Sequence, residues 1–196
     1  QSQKPLEQGS SYWVQYNTKE QQPKLTNITK IPLIFDKLKN MQTTLTPREF
    51  QTLLETKNPL KSLSNTLLEK LSTATTKEEF TNLSNLLLSL HNHVMSIPMR
   101  YENYFALLQF KKRYNTKTKK KQIDFYAAFE LLGPISGVIS FEESTTEVHL
   151  NVAFEKTKYF LEDDMKNFSH AIHISLQENI QPLYELTNNA LLDISI

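Results

Sequence analysis

IDFYAAFELLGPISGVISFEESTTEVHLNVAF, residues 123–154, is the stretch whose reading decides the fold. Ile123, Phe125, Ala127 and Phe129 alternate with Asp124, Tyr126, Ala128 and Glu130. That period of two puts apolar side chains on one face of a strand. Gly133-Pro134 punctuates the run. A next strand carries Ile135, Val138, Ile139 and Phe141, and Glu142 to Thr146 turns it. Val148, Leu150, Val152 and Phe154 then alternate with Glu147, His149, Asn151, Ala153 and Glu155 facing outward, the clearest strand signal in the chain.

Both flanks fit a sheet with a cover. Upstream, Tyr104 to Phe110 reads as the first strand of a hairpin, followed by a charged tail, Lys111-Lys112-Arg113, and a polar turn, NTKTKKKQ. Downstream, Thr157 is a candidate cap for one long helix. Phe160, Leu161, Met165, Phe168, Ile172 and Leu176 recur every three or four residues, as a stripe packed on the sheet requires. Asp163 and Asp164 are placed near its positive N-terminal end, and Asn179 or Pro182 ends it. A short closing strand is expected over residues 191–196.

The first half has helical spacing. Ile31, Ile34, Phe35 and Leu38 mark a helix within residues 27–40, with Pro32 in its first turn. Thr46-Pro47-Arg48-Glu49 is a capping box followed by Phe50, Leu53 and Leu54, until Asn58-Pro59 ends the helix. Leu60, Leu63, Leu67, Leu68 and Leu71 form a further stripe. Thr76 to Glu79 repeats the cap before Phe80, Leu83, Leu86, Leu87, Leu90 and Val94, and Ile97-Pro98 closes the block. Residues 1–26 are rich in Gln, Ser, Lys and Pro, so a linker is the default there. Tyr12, Trp13, Val14 and Tyr16 interrupt it as an aromatic cluster, read either as a docked strand or tether or as a linear motif for a partner. The expected fold is therefore α+β: a linker over 1–26, a helical block over 27–96, then an α+β domain over 97–196. That last part is a small, mostly antiparallel sheet covered by one amphipathic helix.

Composition narrows the chemistry. The chain of 196 residues has no Cys, which excludes disulfides, thiolate nucleophiles and Cys-based zinc sites. Glycine occurs only at positions 9, 133 and 137, too sparsely for a phosphate-cradling loop, and no GxSxG or SxxK pattern is present. The acidic pairs Glu78-Glu79, Glu142-Glu143 and Asp163-Asp164 are adjacent residues, whose carboxylates diverge on helix and strand alike. His91 and His93 fall near a helix C-terminus, and His170 and His173 one turn apart on the long helix. With no further ligand in the pattern they read as surface histidines rather than a metal site. No catalytic residue, metal or cofactor is expected, and the chain reads as a non-enzyme.

No apolar run approaches the roughly 20 residues of a membrane helix, so no membrane span is expected. The chain opens on Gln1 rather than Met, as a fragment or processed product would. The one electrostatic anomaly is the run of Lys111, Lys112, Arg113, Lys117, Lys119, Lys120 and Lys121. It contains no acid, so the rest of a chain with net charge +1 carries −6. A solvated hairpin loop is the plain reading, with Lys117, Lys119, Lys120 and Lys121 as candidate partner-binding residues toward an acidic protein. Nucleic acid ranks last, because Tyr114 is the run's sole aromatic and a stacking platform needs more.

The order strand, Leu132-Gly133, strand, turn, strand, amphipathic helix resembles the C-terminal domain of the bacterial flagellar hook-length control proteins. Phe129, Leu132-Gly133, Val138 with Ile139, and Val148, Leu150, Val152 and Phe154 fill the places of that family's pattern, and the helix Phe160 to Leu176 matches its helix. The resemblance covers residues 123–176. Two departures stand out: the family often carries Pro shortly before the Leu-Gly, where this chain has Phe129, Glu130 and Leu131, and residues 27–96 have no counterpart. The resemblance implies a protein made in the bacterial cytoplasm and exported by the flagellar type III apparatus. Its C-terminal domain would bind the cytoplasmic part of the export gate and switch export from hook to filament substrates. Hook and hook-cap proteins are further implied partners. In that setting Leu132, Gly133, Val138, Leu150, Val152 and Phe154 would be structural. The competing expectation is a secreted or surface structural or adaptor protein whose helical block does the binding.

Overall fold

The computed structural model describes residues 6–17, 24–115, 120–141, 145–168 and 170–186. Two short strands come first, β1 (Tyr12–Asn17) and β2 (Lys24–Lys30), paired antiparallel as a sheet of their own. The aromatic cluster thus makes a docked hairpin and does not join the main sheet. Trp13 is buried, its ring edge-on to Phe35 with centroids 5.5 Å apart. Residues 27–30, expected to begin a helix, are strand instead. Thr26, Ile28 and Thr29 are β-branched, and Pro32 holds Ile31 away from helical torsions. The helix α1 (Leu33–Lys39) starts only behind Pro32, at the N-cap.

The next helices follow their local signals. α2 (Pro47–Glu55) has the full capping box: Glu49 N–H donates to Thr46 Oγ1 at 3.3 Å, and Thr46 N–H donates to Glu49 Oε2 at 2.7 Å. α3 (Pro59–Ser72) starts behind Asn58, whose Oδ1 accepts from Lys61 N–H. α4 (Lys77–His91) is capped by Thr76, but the Glu79 carboxylate accepts from Thr75 N–H, so its box is not reciprocal. Of the predicted stripes, Ile34, Phe35, Leu38, Leu63, Leu67, Leu83 and Leu86 are buried, while Leu54, Leu60, Leu68 and Phe80 are about half exposed.

Ile97 and Pro98 were expected to close this block. They belong instead to β3 (Met95–Tyr101), which carries Pro98 within it. Proline is tolerated there because β3 lies at the edge of the sheet, where one side of the strand makes no ladder. Leu45 partly closes that edge: its N–H donates to Pro98 O, and its carbonyl accepts from Arg100 N–H, both at 2.9 Å. β4 (Tyr104–Asn115), β5 (Lys120–Phe129), β6 (Gly133–Phe141) and β7 (Thr146–Val152) follow as antiparallel neighbours, in sheet order equal to chain order. The charged tail 111–113 is part of β4, paired with 122–124.

The expected long helix is the largest correction. α5 covers only Glu155–Asp164, a 3-10 turn spans Met165–Asn167, and β8 (Ala171–Leu176) then pairs parallel with β7 at the far edge. Residues 168, 172 and 176 fit a helical stripe, but 172, 174 and 176 equally fit a strand. Pairing with β7 satisfies the backbone while Ile172 and Ile174 join a cluster with Leu150, Val152, Leu161 and Met165. Two details fall with the helix. Thr157 is not its cap but lies inside α5, behind Phe154 at the N-cap. Asp163 and Asp164 stand at the C-terminal end, where Asp163 pairs with Lys166. Phe154 accordingly is not the last residue of a strand. The closing strand expected over 191–196 lies outside the described residues.

Register places Phe105, Leu107, Gln109, Tyr126 and Ala128 on one face, each almost fully buried. The Phe35 ring, 5.0 Å from that of Phe105, seats α1 on this face. The opposite face meets α2 through stacked Phe50 and Phe110, and meets α5 through Leu161 over Ala127, Ile135, Leu150 and Val152. Asp124, Tyr126, Ala128 and Glu130, read as the polar side of their strand, are therefore on a face that is largely covered. α5 and the strands β5–β8 enclose one buried cluster, while the hairpin, α1, α3, α4 and the β3–β5 end of the sheet share a second, larger core. Residues 180–186 close it: Gln109 accepts from Leu183 N–H and donates to Tyr184 O, each at 2.8 Å. Glu185 accepts from Leu33 and Ile34 N–H at 3.1 and 2.9 Å, capping α1 from 152 and 151 residues away in sequence.

Candidate functional site

Three parts of the sheet carry the residues singled out by the sequence. The first is the turn between β5 and β6. Gly133 has φ +76°, and a Cβ there would lie 2.3 and 2.7 Å from the Phe154 ring, so both the torsion and the close approach require glycine. Thr157 Oγ1 donates to Leu132 O at 2.7 Å, fastening the turn to the start of α5. Glu130 fastens it to the other side, with Oε1 2.6 Å from Lys39 Nζ and Oε2 accepting from Phe105 N–H at 3.0 Å. Burial pushes the Glu130 carboxyl up, but the Lys39 ammonium and the Phe105 N–H outweigh it and hold it below the ordinary glutamate value. Leu131 alone projects from this turn, 74% exposed. Gly133, Leu150, Val152 and Phe154 are buried, while Val138 sits on the opposite face of β6 from Ile135, beside Asp124 and His149 in register.

The second part is the basic end of the β4–β5 hairpin. Lys111, Lys112, Arg113 and Tyr114 are exposed on β4, and Lys121 is exposed on β5. The strands stay paired out to Asn115 and Lys120, so these cations stand on a regular two-stranded arm rather than on a loose loop. Alternation puts Lys111 and Arg113 on one face, and Lys112, Tyr114 and Lys121 on the other. Arg113 is engaged by Asp124, 3.0 Å away. Lys117 and Lys119 lie outside the described residues, as do Glu142 and Glu143.

The third part was not foreseen. On the side of the sheet opposite α5, β7 and β8 present Glu147, His149, Asn151, His173 and Ser175. His149 and His173 are register partners across the parallel pair, their rings stacked with centroids 5.0 Å apart and planes 19° from parallel. Glu147 Oε1 lies 3.0 Å from His149 Nε2 and 3.6 Å from His173 Nε2. The expected proximity of His170 and His173 on a helix is replaced by this pairing of residues 24 positions apart. Among the described residues no group of three or more His, Asp or Glu side chains is placed to hold a metal ion.

No protein-family description, curated protein or solved structure matches the chain. What the sites can do is read from their own chemistry. The basic arm offers point charges and hydrogen-bond donors to an acidic surface, and the β7–β8 face offers imidazoles and a carboxylate. Beside Gln109, Tyr126 is fully buried, and burial raises its phenol well above the usual tyrosine value, with the Glu185 carboxylate adding to the effect. No helix among the described residues is long and apolar enough to cross a membrane.

Proposed function

We propose that the chain is a non-enzymatic, protein-binding domain of the flagellar hook-length control type. In this reading it is made in the bacterial cytoplasm and exported through the flagellar apparatus. It engages the cytoplasmic domain of the export gate to switch export from hook to filament substrates, and it meets hook and hook-cap proteins on the way. The observation that carries the reading is the behaviour of residues 123–176, the stretch bearing the resemblance. They form one contiguous unit, β5–β6–β7–α5–β8, although residues 160–176 are not the helix of the resemblance; at the β5–β6 turn Gly133 packs on the Phe154 ring and Leu132 O accepts from Thr157. The exposed cations of the β4–β5 arm supply what a gate with an acidic patch would select, speeding encounter at low ionic strength.

The exposed Leu54, Leu60, Leu68 and Phe80 favour a second reading, a secreted or surface adaptor that binds through its helices. Hook length measured by electron microscopy in a strain lacking the gene separates the two. Overlong hooks without filaments are expected for the switch. Normal hooks and filaments refute it and make pull-down with the helices of residues 33–91 the next experiment.

A further inference from the structure

We infer that two copies of this chain join edge to edge through β8, which pairs antiparallel with the β8 of a second copy about a two-fold axis at Ile174. This association is independent of the hook-length reading. The direction of the backbone groups defines the edge. Gln177 N–H donates to Val152 O at 3.0 Å, and Val152 is the register partner of Leu176. Successive residues of a strand turn their N–H and C=O to opposite sides. Ala171, His173 and Ser175 therefore face β7, as Gln177 does, while Ile172, Ile174 and Leu176 present their N–H and C=O to the open edge. None of these three has a backbone partner on that side among the described residues.

Such an edge is a template for another strand, and folded chains usually block it. The other end of the sheet is blocked: Leu45 bridges to β3, and Pro98 lies within β3. β8 has neither device. Although 22% of the chain is charged, residues 168–177 contain no Lys, Arg, Asp, Glu or Pro. A charged peptide would find no counter-charge on this strand, whereas a second copy meets no like charge. Antiparallel pairing centred on Ile174 sets Ile172 opposite Leu176 of the second copy and Ile174 opposite its own counterpart. All three residues with open backbone groups are then used. On the α5 side the facing side chains are aliphatic, and Leu176, 48% exposed in one chain, gains Ile172 as a neighbour. On the other side His173 meets Ser175.

The test is sedimentation equilibrium of the full chain from micromolar to millimolar concentration, with amide hydrogen exchange at both ends of that range. A contact over Ile172–Leu176 is small beside the ~1,200–2,000 Å² of stable interfaces, so a reversible dimer is expected. The mean mass should rise from the 22.8 kDa of one chain toward twice that value. Exchange at Ile172, Ile174 and Leu176 should slow with it by about 10-fold, while His173 and Ser175, already bonded to β7, stay unchanged. Leu176→Pro removes one outward N–H and leaves the ladder to β7 intact. Ser175→Lys adds the kind of cation that blocks natural edges. Each should weaken association by about 10-fold or more. Tyr101→Lys, on the opposite edge strand, should leave it unchanged. A mass of one chain at every concentration overturns the inference, as does a dimer that leaves the three amides exchanging as before. Protection of those amides that is independent of concentration also overturns it, because the edge is then covered within one chain. Should a variant unfold, the concentration dependence of exchange in the unmodified chain decides.

Discussion

Gly133→Ala tests the turn on which the β5–β6 pairing rests. Alanine at φ +76° lies in the left-handed region, which costs about 1–2 kcal/mol for an L side chain. Its Cβ would also stand 2.3 Å from Phe154 Cε2, well inside the ~3.5–4.0 Å of carbon–carbon contact. Phe154 is only 8% exposed, and Thr157, three residues on, is bonded to Leu132 O, so the ring cannot retreat without disturbing α5. Overpacking of this kind costs about 1–3 kcal/mol. The two terms together predict a loss of about 2–5 kcal/mol, or about 5–15 °C in Tm for a chain of this size. Urea denaturation of both proteins measures it. Repeating the substitution in a Phe154→Leu background removes the steric part and leaves the torsional part, so the cycle should show a coupling of about 1–3 kcal/mol. A cost below about 1 kcal/mol refutes the reasoning about the torsion. An equal cost in both backgrounds refutes the role given to Phe154.

Three further outcomes follow from the buried polar groups. Tyr126→Phe should stabilise the fold by about 1–2 kcal/mol, because its fully buried hydroxyl has no hydrogen-bond partner among the described residues. Its raised folded pKa means that the neutral phenol's contribution is complete below the unfolded value near 10 and is lost as pH rises above it. The variant should therefore resist alkaline unfolding, as near-UV circular dichroism between pH 9 and 12 would show. Glu130→Gln should cost about 1 kcal/mol at neutral pH, a figure kept small because Lys39 is half exposed. The depressed Glu130 value makes its contribution present above the unfolded pKa near 4.5 and lost as pH falls through the folded one. The difference from the unaltered chain in urea titrations should accordingly shrink below pH 4.5. Gln109→Leu should cost about 3 kcal/mol or more, since it strands Leu183 N–H, Tyr184 N–H and Tyr184 O. Amide exchange at Leu183 and Tyr184 should speed up before the sheet itself is affected, and unchanged exchange there would count against the docking role.

Where the deciding contacts lie within four residues, the sequence alone determined the outcome. Thr46 with Glu49 and Thr76 with Glu79 start two helices where their caps predict, and Asn58, read only as the end of one helix, also caps the next through Lys61 N–H. The alternation over 123–130 and 147–155 sets two strands, the second ending earlier, at Val152, and the turn at Gly133 needs only a residue without a Cβ. Tertiary structure decided what two competing local patterns left open. Ile97 and Pro98 could end a block until an edge position made proline harmless in a strand. Residues 168–176 fit period four and period two alike, and the free edge of β7 selected the strand because pairing there satisfies backbone that α5 had ceased to satisfy. The cap of α1 comes from Glu185, and the stacking of His149 on His173 comes from that same parallel pairing. Neither has a local signature, because each joins residues brought within a few ångströms only after the sheet is ordered.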